Sequence, residues 1–170
     1  MRTRRTLSDG VTAAIAGYLA LEVMDRATTR LYALASEADK AREKAVSPGV
    51  AYTVAAKKTA ALVGLVLTEE AATAVGSGYH YLLGLSWAPV YVVLRRLTGV
   101  APLAAGLATG LALWAGFDEG LVPALGFSAP NRAYPPSTHL RGLVGHLVYG
   151  LTIMATVEAV RLADRDWPHA

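Results

Sequence analysis

Asp118 and Glu119 stand side by side at the end of an uncharged, proline-free run from Leu103 to Phe117, and the chain turns apolar again at Leu121, Val122, Leu125 and Phe127. Near a helix C-terminus a carboxylate meets the negative end of the dipole, at a cost of about 0.3–1 kcal/mol. At the centre of a membrane helix an unpaired acid costs about 2.5–3.5 kcal/mol on insertion scales. At least one of the two acids therefore needs a cation or a hydrogen-bond donor. Arg132, His139 and Arg141, in and just after the next loop, are the expected partners. Two readings follow: a structural ion-pair or hydrogen-bond network, and a site that handles protons or a ligand.

The histidines add to this polar set. His139 and His146 return to nearly the same helix face, but about 10.5 Å apart along the axis, which is too far to chelate one metal. No metal site is expected. His146 is expected to be satisfied by a polar group on a neighbouring helix, which Gly142, Gly145 and Gly150 allow to come close. His80, Gly84, Trp87 and Tyr91 share one face, a mixture that marks packing in a bundle more often than a cofactor pocket. Nothing in the spacing makes His80 or His146 a haem or chlorophyll ligand, so no cofactor is expected. Glu22, Asp25 and Arg26 complete the candidate intramembrane polar network, with Glu22 and Arg26 able to neutralise each other at i,i+4. The chain carries no zinc-protease pair, nucleophile elbow or phosphate-cradling loop. A hydrolase built from Ser86 or Ser137 with a histidine has no support, and the chain is not expected to be an enzyme.

Helices must position these residues, and the composition says in what solvent. Charged residues make up 17% of the 170-residue chain and hydrophobic ones 54%, against about 25% charged in soluble domains. That points to a membrane protein. Cysteine is absent, which excludes disulfides and thiolate chemistry. The net charge of +3 is scattered rather than gathered in a stripe, so nucleic-acid binding is not expected.

The expected fold is all-α and polytopic: four transmembrane helices in one bundle, plus an amphipathic helix in the first loop. Spans are expected at about 71–94, 100–122 and 140–162, each about 23 residues or roughly 35 Å, enough for a hydrocarbon core of about 30 Å. A first span is expected at about 8–35 as a retained signal-anchor, with an interfacial helix as the alternative, because Glu22, Asp25, Arg26 and Arg30 follow a short uncharged part. Residues 36–70 form a polar connector: a mixed charge run over Ser36–Lys44 read as solvated surface, a break at Ser47-Pro48-Gly49, and an amphipathic helix over Val50–Leu67. The proline-rich stretch Pro123–Thr138 belongs outside the hydrocarbon. Gly106-Leu-Ala-Thr-Gly110 is a small-xxx-small contact face, and Gly142 and Gly145 are further helix-packing positions. Arg2, Arg4, Arg5, Arg95, Arg96, Arg161 and Arg165 fall on one side of a four-span map, which puts both termini in the cytoplasm.

Several pieces in order resemble the YagU-like family of small bacterial inner-membrane proteins. They are Val23-Met24-Asp25-Arg26-Ala-Thr-Thr with Tyr32, Gly78-Tyr-His80-Tyr-Leu-Leu-Gly84, and Tyr91-Val-Val-Leu-Arg-Arg, followed by Asp118-Glu119-Gly-Leu-Val-Pro-Ala-Leu-Gly and Thr138-His139-Leu-Arg141-Gly-Leu-Val-Gly-His146-Leu-Val-Tyr149-Gly150. The resemblance implies a polytopic, all-helical protein of the bacterial inner membrane and supplies no activity. It directs attention to Asp25, His80, Asp118, Glu119, His139, Arg141 and His146.

The expected function is an accessory or structural subunit packed against a larger membrane complex, such as a respiratory or photosynthetic one. The expected partners are the lipid bilayer and other membrane subunits or further copies of the chain. The alternative is permeation of protons or a small solute through an Asp/Glu/His-lined bundle.

Overall fold

The structure is a computed structural model that describes the backbone of residues 2–166 and the side chains of residues 10–163. The side chains of Arg2, Arg4, Arg5 and Arg165, used above for orientation, lie outside the described residues. The described chain is helical and contains no strand. Its elements are α1 (Arg2–Ala33), α2 (Glu37–Val46), α3 (Ala51–Leu62), α4 (Glu69–Thr98), α5 (Pro102–Leu113), a π-helical segment (Trp114–Leu121), a short α6 (Val122–Ala124), a 3-10 turn (Asn131–Ala133) and α7 (Pro136–Asp166).

Local chemistry sets the element ends. Ser36 and Thr68 cap α2 and α4 by accepting from the backbone N–H of Asp39 and Ala71, which satisfies donors that the first helical turn leaves free. Gly99, in the left-handed region at φ 64°, ends α4, and Pro102 opens α5, where its missing N–H costs nothing. The amphipathic helix expected over 50–67 stops at Leu62, because Gly64 takes φ 74°, a conformation that costs glycine least.

The four long elements run alternately up and down. Gly17 lies against Leu85 and Ala88, and Leu21 against Gly84, so α1 and α4 are antiparallel. Thr28 meets Gly145 and Tyr32 lies under Arg141, which sets α7 antiparallel to α1. Gly106 faces Gly150 and Gly110 faces His146, which sets α5 antiparallel to α7. The start of α1 and the ends of α4 and α7 therefore share one end of the bundle. The α2 helix, α3 and the 125–135 loop gather at the opposite end. Small residues fill much of the core: Ala13, Ala16 and Ala20 of α1, Ala88 of α4 and Ala105 of α5, around Tyr91, Tyr149, Ile153 and Val157. Large apolar side chains instead face outward, at Leu103, Leu107 and Leu111 on α5 and at Leu82, Val90, Val93 and Leu97 on α4.

Among the described residues one helix, α7 over Pro136–Ala163, is long and apolar enough to cross a membrane. Helical elements occupy all four places where spans were expected, but one of them qualifies as a membrane span. The α4 helix is 30 residues long, yet Ser77, His80, Ser86 and three tyrosines dilute its apolar character. The α5 helix ends after 12 residues, where the π-helical segment begins. The expected span at 100–122 is therefore a helix of changing pitch.

Candidate functional site

The π-helical segment determines where the two acids point. Its i→i−5 pattern appears at the Val122 N–H, which donates to the Phe117 carbonyl. Such a segment shifts the register of every later side chain relative to a regular α-helix. Pro123 has no N–H to offer the Glu119 carbonyl four residues back. Asn131 Nδ2 donates to that carbonyl instead, at 2.7 Å.

As a result the acids part company. Glu119 turns toward the loop, where His139 Nδ1 lies 2.7 Å from its carboxyl oxygen, while His139 Nε2 lies 3.1 Å from the Asn131 carbonyl oxygen. A carbonyl only accepts, so Nε2–H donates to Asn131 and Nδ1 faces the Glu119 carboxyl. Asp118 turns into the bundle, with Oδ2 3.5 Å from His146 Nδ1. That nitrogen donates to the Gly142 carbonyl at 2.9 Å, so the contact with Asp118 is an approach rather than a hydrogen bond.

Arg141 takes neither acid, contrary to expectation. Its guanidinium donates to Glu43 of α2 at 2.7 Å and lies 5.0 Å from the Tyr32 ring centroid. Thr138 donates to the other Glu43 oxygen at 2.6 Å, and Ser137 donates to Asp39 at 2.9 Å. Arg42 donates to the carbonyls of Ala133 and Arg132. The charge run has no buried residue in α2, in keeping with a solvated surface, yet it is also a strap, whose acids Asp39 and Glu43 bind the first turns of α7.

On α1, Glu22 and Arg26 pair at 2.8 Å, as their spacing predicts. Asp25 pairs across the bundle with His80 Nε2 at 3.3 Å, and the Tyr52 ring lies 5.1 Å from the His80 ring. The face shared by His80, Gly84, Trp87 and Tyr91 looks inward. Gly84 receives Leu21, Trp87 meets Phe117 edge to face, and Tyr91 is fully buried.

These elements line an open-sided cavity of about 320 Å³. Its polar wall carries Asp118, His146, His80, Arg141 and Thr138. Its apolar wall carries Leu21, Met24, Leu83 and Leu113. Beyond it, Tyr149 fills the interior, buried and with its hydroxyl donating to the Gly84 carbonyl. Farther along, Glu158 accepts from Tyr91 at 2.9 Å and from Arg95 and Arg161 at 3.1 Å. Sequence reasoning missed this second network, although Glu158 inside an expected span was its signal. Thr28, Glu43, Asn131 and Tyr149 were missed too, and only Glu43, within the charge run, had a charge to mark it.

No group of three metal-binding side chains occurs among the described residues. The four predicted packing glycines lie at helix contacts within the chain: Gly106 and Gly110 against α7, Gly145 against Thr28, and Gly142 beside the Trp114 indole. No curated protein and no solved structure matches the chain. A family model matches residues 45–155, from the end of α2 to deep in α7, and the chain belongs to that family, described as protein of unknown function (DUF1440).

Proposed function

We propose that this chain is a membrane-embedded, non-catalytic helical bundle that serves as an accessory or structural subunit of a larger membrane complex. The observation that carries this reading is the inverted distribution of size: alanine and glycine inside, leucine and valine outside. Soluble monomers rarely expose apolar patches beyond a few hundred Å². Membrane helices pack through small residues because lipid gives large ones no reason to turn inward. Under this reading the bundle lies in the bacterial inner membrane as four helical spans with both termini cytoplasmic. The ordered motifs shared with YagU-like proteins support that placement.

Gly106 and Gly110 are occupied by α7, so a partner must use the outward stripes. The chain has no cysteine, which makes site-specific crosslinking direct. Cysteine placed at Leu103, Leu107, Leu82 or Val93 and crosslinked in native membranes is expected to give a discrete protein adduct from one stripe. Mild-detergent extraction followed by native gel, mass spectrometry and an absorption spectrum of the same band would identify the adduct's complex. Crosslinks to lipid alone from every stripe, with migration as a small colourless species, would remove the accessory role.

The cavity favours a second reading, passage of protons or a small solute. Asp118, His80 and His146 line the cavity and Tyr149 is packed in the interior beyond it, so passage requires Tyr149 to move. In proteoliposomes that reading predicts loss of flux on Asp118→Asn, and unaltered flux discards it.

A further inference from the structure

We propose that the cavity is a binding site for a small organic cation, an ammonium group on an apolar body, with Asp118 as its counter-ion. The inference stands whichever of the two functional readings holds.

It begins with which charges in the cavity are already answered. Arg141 is neutralised by Glu43 at 2.7 Å and lies over Tyr32. His80 is turned to Asp25 at 3.3 Å. The His146 Nδ1 proton is used by the Gly142 carbonyl at 2.9 Å. Asp118 remains: among the described residues no side chain is hydrogen-bonded to its carboxylate, and His146 Nδ1, 3.5 Å away, already donates to the Gly142 carbonyl. Its side chain keeps 44% of its accessible surface, because the cavity it lines is open on one side. The unmatched group is therefore an acceptor that a guest can reach.

The remaining walls describe the rest of the guest. Leu21, Met24, Leu83 and Leu113 form an apolar surface, and a volume of about 320 Å³ is at the small end of the range of ligand sites, about 300–1,000 Å³. An anion would face Asp118 with the nearby Arg141 already paired. A divalent metal would find no group of three ligands among the described residues. A neutral alcohol could donate to Asp118, but a charge-assisted hydrogen bond is about twice as strong as a neutral one.

The test is isothermal titration of the purified 170-residue chain in detergent with benzylammonium, benzyl alcohol and benzoate, which share a ring and differ in charge. Benzylammonium is expected to bind saturably, about tenfold or more tighter than either control, and Asp118→Asn is expected to erase that preference. Equal affinities for benzylammonium and benzyl alcohol, or an unchanged preference in Asp118→Asn, would overturn the proposal. Should Asp118→Asn fail to give a thermal transition, Leu83→Trp decides: it fills the cavity and keeps the carboxylate. Loss of benzylammonium binding there supports the site, and unchanged binding overturns it. Native mass spectrometry of the same preparation separates two sources of the ammonium group. A retained phosphatidylethanolamine displaced by benzylammonium identifies a lipid headgroup, and binding without a retained lipid identifies a free amine.

Discussion

One oxygen of Glu158 accepts from Tyr91, Arg95 and Arg161, joining α4 to α7 near the end of the bundle where both helices finish. Glu158→Ala is expected to lower stability by about 1.5–3 kcal/mol, the range for hydrogen bonds to charged groups. Tyr91→Phe, which removes one of the three donors, is expected to cost about 1.5 kcal/mol, the low end of the same range. Thermal unfolding in detergent checks the order, and a Glu158→Ala chain as stable as the parent would dismiss the network as a stabilising feature. Glycines give a second residue-scale contrast. A Cβ at Gly110 would run into the His146 carbonyl, whereas one at Gly78 meets nothing within 4 Å. Gly110→Ala should therefore cost about 1–3 kcal/mol, as overpacking does. Gly78→Ala should gain about 0.4–1 kcal/mol by restricting the unfolded chain. Equal melting shifts for the two would refute the close α5–α7 approach.

At the scale of elements, the π-helical segment and α2 decide what the polar residues meet. Inserting one alanine after Gly116, a position open to space, is expected to rotate later residues by about 100°. Asp118 would leave the cavity and Glu119 would leave His139. A double-mutant cycle with Glu119→Gln and His139→Gln measures this directly. Its coupling is expected to be about 0.5–3 kcal/mol in the parent, typical of contacting pairs, and to vanish in the insertion variant. Coupling that survives the insertion would mean that the helical register does not orient Glu119. The α2 strap makes a separate prediction. Glu43 holds Arg141 and Thr138, so Glu43→Ala should raise amide exchange over residues 37–46 about tenfold by easing local opening, with α5 unchanged. Uniform exchange across both elements would show that the strap is not held through Glu43.

For the whole molecule, the outward leucines and the inward alanines belong to one design. Leu82 lies midway along α4 with 69% of its surface accessible. If the bundle is membrane-embedded as proposed, Leu82→Lys is expected to weaken insertion of α4 by about 2.5–3.5 kcal/mol, the cost of a charge at a helix centre, measured as the inserted fraction in microsomes. An inserted fraction equal to that of the parent would contradict a lipid-facing Leu82. The same arrangement explains how far a reading of residues alone could go. Helix-forming stretches, the Glu22–Arg26 pair and the small residues at Gly106, Gly110, Gly142 and Gly145 were legible, because each depends on neighbours within a turn or two. The pairings of Arg141 and Asp118 were not. Arg141 was expected beside the acids and instead meets Glu43, 98 residues away. Asp118 and Glu119, adjacent in the chain, serve a cavity and a loop separately. The sequence by itself determined the helices, the shortage of charge and the roster of polar residues, since composition and periodicity are local. Only the tertiary structure decided which acid meets which base, because that depends on how each helix is rotated about its axis and where a π-helical turn shifts the register.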